Sequence, residues 1–239
     1  MPARTLPVLH SPRLGALWPG RCAHCDARSS EPLCPACQRS DLAPQPRCPQ
    51  CALPVASAGQ ICGACLLHPP VWQGALILGD YRFPNDRLVL RMKFGAEPAL
   101  GRWFGNLLGA RWLQAGLARP DVVLPIPLSR ERLLERGFNP AWEIARGLAK
   151  QLHCTAEAAS LQRVRHGTAQ SNLPLDARRR NIRGAYASLR RFDGQTLLLV
   201  DDVMTSGATL EEATRVLLRN GAATVWVAAA LRTPLDPAA

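Results

Sequence analysis

The sequence predicts an α/β protein: a parallel sheet flanked by helices, preceded by a small cysteine-rich metal module. Three observations carry this. From residue 71 onward, apolar runs alternate with amphipathic stretches in strand–helix–strand order, which implies parallel strands joined by right-handed crossovers. The runs TLLLV (196–200) and TVWVAAAL (224–231) show no polar alternation, as expected of central strands covered on both faces. Eight of the nine cysteines fall between Cys22 and Cys65.

Those eight form four CxxC pairs: Cys22/Cys25, Cys34/Cys37, Cys48/Cys51 and Cys62/Cys65. The residues between them are mostly Pro, Ala, Arg and Gln, too poor in large aliphatic side chains to build a core. A structural metal is the usual remedy for so short a segment. A CxxC turn offers two thiolates from one tight loop, and two such turns complete a tetrahedral site, so two structural Zn2+ ions are expected rather than disulfides or an iron–sulfur cluster. The short gaps favour sequential pairing, Cys22, Cys25, Cys34 and Cys37 on one ion and Cys48, Cys51, Cys62 and Cys65 on the other. A cross-braced arrangement stays open. His24 and His68 are read as non-ligands, and Cys154 as a small buried hydrophobe. The module is assigned to residues 1–70 and the α/β domain to 71–239.

Within that domain, residues 71–83 read as entry strands and Asp86 to Lys93 as a short helix. Ala99 to Ala115 reads as a longer helix burying Leu100, Trp103, Phe104, Leu107 and Leu108. DVVLPIP (121–127) is a short buried strand. Asn139 and Pro140 start the next helix as N-cap and first helical residue. A basic segment runs from Arg163 to Arg183. After the 196–200 strand, Thr209 and Glu212 have the spacing of a capping box, and Asn220–Gly221 marks the end of that helix. A net charge of +11 with clustered arginines points to an anionic partner. No apolar stretch approaches the roughly 18 residues needed to span a bilayer, and Pro7, His10, Pro12 and Arg13 break the N-terminus as a secretory signal. A cytoplasmic protein without membrane insertion is the expectation.

The stretch LLLVDDVMTSGATLEEA (197–213) carries the chemistry. In open parallel sheets, ligands bind beyond the carboxyl ends of the strands. Asp201 and Asp202 fall at that edge. Beside them Thr205, Ser206, Gly207, Ala208 and Thr209 form a small, hydroxyl-rich turn at a helix start, suited to a phosphate. Two carboxylates would repel that phosphate, so they face sugar hydroxyls or a cation. A ribose 5-phosphate satisfies both halves.

The stretch resembles the PRPP signature of type I phosphoribosyltransferases, with Ser206 where a second Thr is more usual. The resemblance implies that Asp201 and Asp202 hold the ribose 2- and 3-hydroxyls and that Thr205 to Thr209 hold the 5-phosphate. It also implies Mg2+ accompanying the pyrophosphate of PRPP. Arg130, Arg132 and Arg136 follow the 121–127 strand. Arg163, Arg165, Arg178, Arg179, Arg180 and Arg183 lie in the basic segment, whose Gly, Ser, Asn and Pro content suits a loop that closes over the ligand. Arg136, Arg163 and Arg165 are the expected stabilisers of charge on departing pyrophosphate.

Taken whole, the chain resembles the ComF/GntX family, a double zinc ribbon fused to a type I phosphoribosyltransferase-like domain. The resemblance rests on the CxxC pairs, Arg91–Gly95, residues 124–141, Arg165 with Thr168 and Gln170, Arg180-Asn181 with Gly184, and VDDVMTSGAT. It implies a cytoplasmic, PRPP-binding protein of DNA uptake and natural transformation that handles incoming single-stranded DNA alongside competence proteins such as a DNA-uptake helicase. It leaves open whether the chain is an enzyme, a phosphoribosyltransferase, or a non-catalytic accessory protein binding PRPP or nucleic acid. Phe138, Trp142 and Tyr186 are the aromatics near basic stretches that could stack on bases.

Overall fold

The computed structural model describes residues 20–165 and 182–234. The chain divides into two compact units, Met1–Ala43 and Pro44–Ala239. In the first unit, Cys22 and Cys25 flank a knuckle closed by Asp26 N donating to Cys22 O, and Asp26 takes the left-handed backbone that this tight turn requires. Cys34 then caps α1 (Pro35–Asp41), whose proline sits where the missing N–H is harmless. The second unit opens with the same device. Ala52 N donates to Cys48 O, Ala52 has positive φ, and Cys62 caps α2 (Gly63–Leu67).

The long apolar runs become strands of one five-stranded parallel sheet in the order β1-β7-β6-β2-β3. These strands are β1 (Ala75–Asp80), β2 (Val122–Pro125), β3 (Thr155–Ala156), β6 (Thr196–Met204) and β7 (Thr224–Arg232). Leu197 to Val200 are fully buried, as their lack of alternation requires. The helices are α3 (Asp86–Phe94), α4 (Pro98–Gln114), α5 (Arg130–Arg136), α6 (Pro140–Leu152) and α7 (Ala208–Arg219). A two-stranded antiparallel ribbon, β4 (Leu161–Arg163) with β5 (Tyr186–Ser188), flanks the basic segment.

Helix α4 buries Leu100, Trp103, Phe104 and Leu108 as its periodicity predicts, while Leu107 is only half-buried. It crosses α6 where Gly105 and Gly147 meet backbone: a Cβ on Gly105 would stand 2.1 Å from Ile144 O. Asn139 Oδ1 accepts from Ala141 N at 3.0 Å and Pro140 is the first residue of α6, the expected cap. Residues 71–83 supply one strand only, β1. From β2 the chain returns through α6 to β3 on one side, while β6 and β7 lie on the other. The sheet order therefore reverses between β2 and β6, and the crevice beyond their carboxyl ends is the place where such sheets bind ligands.

Candidate functional site

Asp201 and Asp202 stand three and two residues before Met204, which ends β6, at the carboxyl edge of the sheet. Their side chains alternate, as in any strand. Asp202 is buried and pairs with Lys93 of α3, Nζ to Oδ1 at 2.7 Å. Asp201 Oδ1 accepts from Asp202 N at 2.8 Å. Burial, reinforced by the Asp202 charge, pushes the Asp201 carboxyl up to about 7, with Lys93 pulling the other way. Such a pair is short of positive charge and suits a cation or hydroxyl donors.

The turn after β6 is shaped by Gly207, whose φ of +79° only glycine adopts freely. A Cβ there would stand 3.0 Å from the Trp72 ring and 3.1 Å from Met204 Cε. Gly207 is also the N-cap of α7, which starts at Ala208 and has no side-chain cap. The expected Thr209/Glu212 capping box therefore does not form. Glu212 Oε1 instead accepts from Gly184 N at 2.8 Å, across to the end of the basic segment. Ser206 Oγ accepts from Ala208 N at a long 3.4 Å. The remaining first-turn amides have no capping side chain, which leaves the positive end of α7 open to an anion. Thr205 is exposed, and Ser206 and Thr209 are half-buried.

The arginines are distributed unequally. Arg136, in the last turn of α5, stacks over Phe94 at 5.5 Å from the ring centroid. Phe94 follows Lys93, so Arg136 lies at the acid end of the sheet. Arg163 ends β4, and its charge and that of Asp201 both act on the buried Tyr186 opposite it in β5. Arg165 is exposed, with its guanidinium 3.7 Å from a Cβ built on Gly184. Thr168, Gln170, Arg178, Arg179, Arg180 and Asn181 lie outside the described residues.

Tyr186 is 5% exposed, so it cannot serve as a stacking surface. Phe138 is half-buried, as is Trp142 with Arg146 above it at 5.9 Å. Among the described residues, the exposed large aromatic rings are Phe94, at 73%, and Phe83, at 67% with Arg87 above it at 4.7 Å. Lys93, Phe83 and Phe94 were not assigned roles from the sequence. Lys93 and Phe94 lie in the Arg91–Gly95 stretch of the resemblance, which gives them no role; the packing of α3 against the end of β6 brings Lys93 to Asp202.

The cysteines assemble sequentially. Cys22, Cys25, Cys34 and Cys37 form one cluster and Cys48, Cys51, Cys62 and Cys65 the other, the sulfurs of each lying within 4.8 Å of one another. Sulfur pairs at 3.7 Å (Cys25, Cys34) and 3.5 Å (Cys51, Cys62) fit a tetrahedral ion, whose Zn–S bonds of about 2.3 Å put ligands roughly 3.8 Å apart. The first thiol of each cluster is pushed down, Cys22 to about 6 and Cys48 to about 7. Burial opposes this in both, and backbone amides of the knuckles outweigh it. His24 Nδ1 holds Asp41 Oδ2 at 2.6 Å, and the two lie within 4.8 Å of Cys37. Cys154 is half-buried, its thiol facing Ala149 O.

Comparison with known proteins agrees with this architecture. Residues 13–66 match the double zinc ribbon domain and residues 133–237 the phosphoribosyl transferase domain. The DNA utilization protein YhgH of Escherichia coli O157:H7 is 35% identical over 205 residues, covering 84% of this chain and 90% of that protein. The chain belongs to the ComF/GntX family. Competence protein F of Haemophilus influenzae is 30% identical over 87% of this chain and 94% of its own length. Competence protein ComFC of Bacillus subtilis is 27% identical, covering 74% and 73%. Among solved structures, a glutamine PRPP amidotransferase from B. subtilis has a TM-score of 0.38 at 22% identity, over 54% of this chain and 26% of that one. A Staphylococcus aureus hypoxanthine phosphoribosyltransferase scores 0.35 at 15% identity, over 57% and 67%. The fold of this ComF/GntX member rests on its own sheet order and on the family match. No helix among the described residues is long and apolar enough to cross a membrane.

Proposed function

We propose that the chain binds PRPP with Mg2+ at the carboxyl edge of β6 and β2, and that it serves the handling of incoming single-stranded DNA in the cytoplasm. The observation that carries the first half is the junction of two unlike sites: a carboxylate pair short of positive charge and, six residues after Asp202, an uncapped helix start at Ala208 behind a positive-φ glycine. Asp201 and Asp202 accept hydrogen bonds from the ribose hydroxyls. The amides and hydroxyls of Thr205 to Thr209 hold the 5-phosphate. Mg2+, accompanying the pyrophosphate of PRPP beside Asp201 and Asp202, would supply positive charge against the leaving group. Arg136, Arg163 and Arg165 would add donors there. In turnover, the C1–O bond to pyrophosphate breaks with its electron pair leaving on pyrophosphate. An acceptor lone pair closes on C1, and the acceptor's proton is released.

The second half is supported by the names of the relatives, DNA utilization and competence proteins. A specific observation also favours a nucleic-acid contact: on α3 and its approach, Phe83 with Arg87 and Phe94 with Arg136 pair an exposed ring with a guanidinium. Bases stack on such rings while arginines meet the backbone. That surface serves an accessory protein as well as an enzyme with a DNA-linked acceptor. Calorimetry with PRPP and Mg2+ tests the site: wild type binds, while Asp201→Ala with Asp202→Ala shows no heat. Unchanged affinity in the double variant would falsify the assignment. Mg2+-dependent pyrophosphate release, measured with and without single-stranded DNA, separates turnover from binding alone.

A further inference from the structure

The second ribbon and the phosphate turn share two side chains that the reading above does not use. Arg232, the last residue of β7, is 4% exposed. Its Nη1 donates to Met204 O at 3.2 Å and also to Thr205 O, the carbonyls on which the turn begins. Its Nε is buried with no oxygen or nitrogen partner. The side chain faces the second cysteine cluster: Arg232 lines one cavity with Cys51 and Cys65, and the charges of Cys51, Cys62 and Cys65 act on it. No carboxylate pairs with Arg232 among the described residues. A buried guanidinium needs a counter-charge. Four thiolates on one Zn2+ carry a net charge of about −2. The cluster's sulfur distances fit that ion, so its thiolates are the compensating group.

Trp72 makes the second link. Its Nε1 donates to Gln50 O, inside the Cys48–Cys51 knuckle, at 2.5 Å. Its ring closes on Gly207, where even a methyl group would be crowded at 3.0 Å. The turn is thus held on its carbonyl side by Arg232, which faces the second cysteine cluster, and at its glycine by Trp72, which is bonded into that cluster's first knuckle.

We propose that Arg232 and Trp72 are positioning residues that couple the second zinc site to the phosphate turn, so that the metal-loaded ribbon sets the turn's geometry for an anion. For the ligand this rests on the PRPP reading, but the coupling itself is visible without PRPP. Hydrogen exchange of the amides from Thr205 to Leu210 in the ligand-free protein reads it directly. Arg232→Met keeps the bulk and removes the charge. It is expected to speed exchange of those amides about tenfold and to speed zinc loss from the second cluster to a chromophoric chelator. Zinc loss from the first cluster should stay at the wild-type rate. Arg232→Lys, which keeps the charge, should restore most of the zinc retention and less of the turn's protection, since one ammonium cannot reproduce the guanidinium fork. If Arg232→Met does not fold, Arg232→Lys and Trp72→Phe carry the test, the latter removing both the indole donor and the ring edge that closes on Gly207.

Where PRPP binds, coupling is reciprocal. PRPP with Mg2+ should slow zinc loss from the second cluster alone, and Arg232→Met should weaken PRPP about tenfold, as expected for a lost charged hydrogen bond. Wild-type exchange and zinc-loss rates in these variants would overturn the inference even if PRPP binds normally. Altered exchange with no PRPP binding by wild type would leave the coupling standing and remove the PRPP reading.

Discussion

Asp201 is the residue on which the site's electrostatics turn. Its carboxyl is pushed up from 3.8 to about 7 by burial and by Asp202. Between pH about 4 and 7 the folded protein therefore holds a proton that the unfolded chain has lost, so this group's contribution to stability falls as pH rises through that window. A ligand whose hydroxyls donate to the carboxylate favours the ionised form and must displace that proton. PRPP binding at pH 6 should release close to one proton, seen as a dependence of the calorimetric heat on the buffer's ionisation enthalpy. At pH 8.5 that dependence should vanish, and in Asp201→Asn it should be absent at both. Equal heats in all buffers at pH 6 would place Asp201 outside the binding event. The acid pair was legible from two adjacent Asp residues ending an apolar run. Lys93 was not, because its 2.7 Å contact with Asp202 exists only once α3 has packed against the sheet edge.

At the scale of elements, the strand–turn–helix of β6 and α7 follows the sequence closely, and its one departure is informative. TLLLV became a buried central strand because it has no polar face to present. The helix end at Asn220–Gly221 formed as expected, with Gly221 at φ +94°. The helix start did not. Thr209 and Glu212 have the right spacing for a capping box, but the chain enters α7 through Gly207, and Glu212 is taken up by Gly184 N at 2.8 Å. Spacing alone cannot show that a long-range donor competes for the carboxylate. The uncapped start is the feature an anion needs, so local helix stability has been given up at the site. Gly207→Ala tests this. The left-handed backbone costs a residue with a Cβ about 1–2 kcal/mol, and contact with Trp72 at 3.0 Å adds to it. A fall in the thermal midpoint of several degrees, with PRPP affinity lost more steeply than stability, is the expected result. A loss of stability with unchanged affinity would separate the turn from the ligand.

At the scale of the molecule, the sequence separated a metal module from a sheet domain because the cysteines and the large aliphatics occupy different stretches. It could not show that the second ribbon belongs to the compact unit of the sheet, Pro44–Ala239, because that depends on Trp72, Arg232 and the Arg47–Asp80 ion pair at 2.9 Å. Charge was equally readable in total and unreadable in place. A balance of +11 announces an anionic partner, but Phe138, Trp142 and Tyr186 are buried or half-buried, while the two rings exposed among the described residues lie along α3 and its approach. Their spacing decides what can bind. Arg87, Leu90 and Phe94 recur every three or four residues, so they share the outward stripe of α3, and Phe83 lies just before the helix with Arg87 over its ring. Arg136 reaches that stripe from α5. Stacking on an exposed ring contributes about 1–3 kcal/mol per base, whereas an arginine meeting a phosphate contributes through released counterions and hence through salt. The two kinds of variant should therefore fail differently on single-stranded DNA. Phe94→Ala should weaken binding about tenfold with the salt slope intact. Arg136→Ala should lower the slope by roughly one unit or less and converge with wild type at high salt. Fluorescence anisotropy with a labelled oligonucleotide across a salt series measures both. Identical curves for the two variants and wild type would move the DNA contact off this face of the protein.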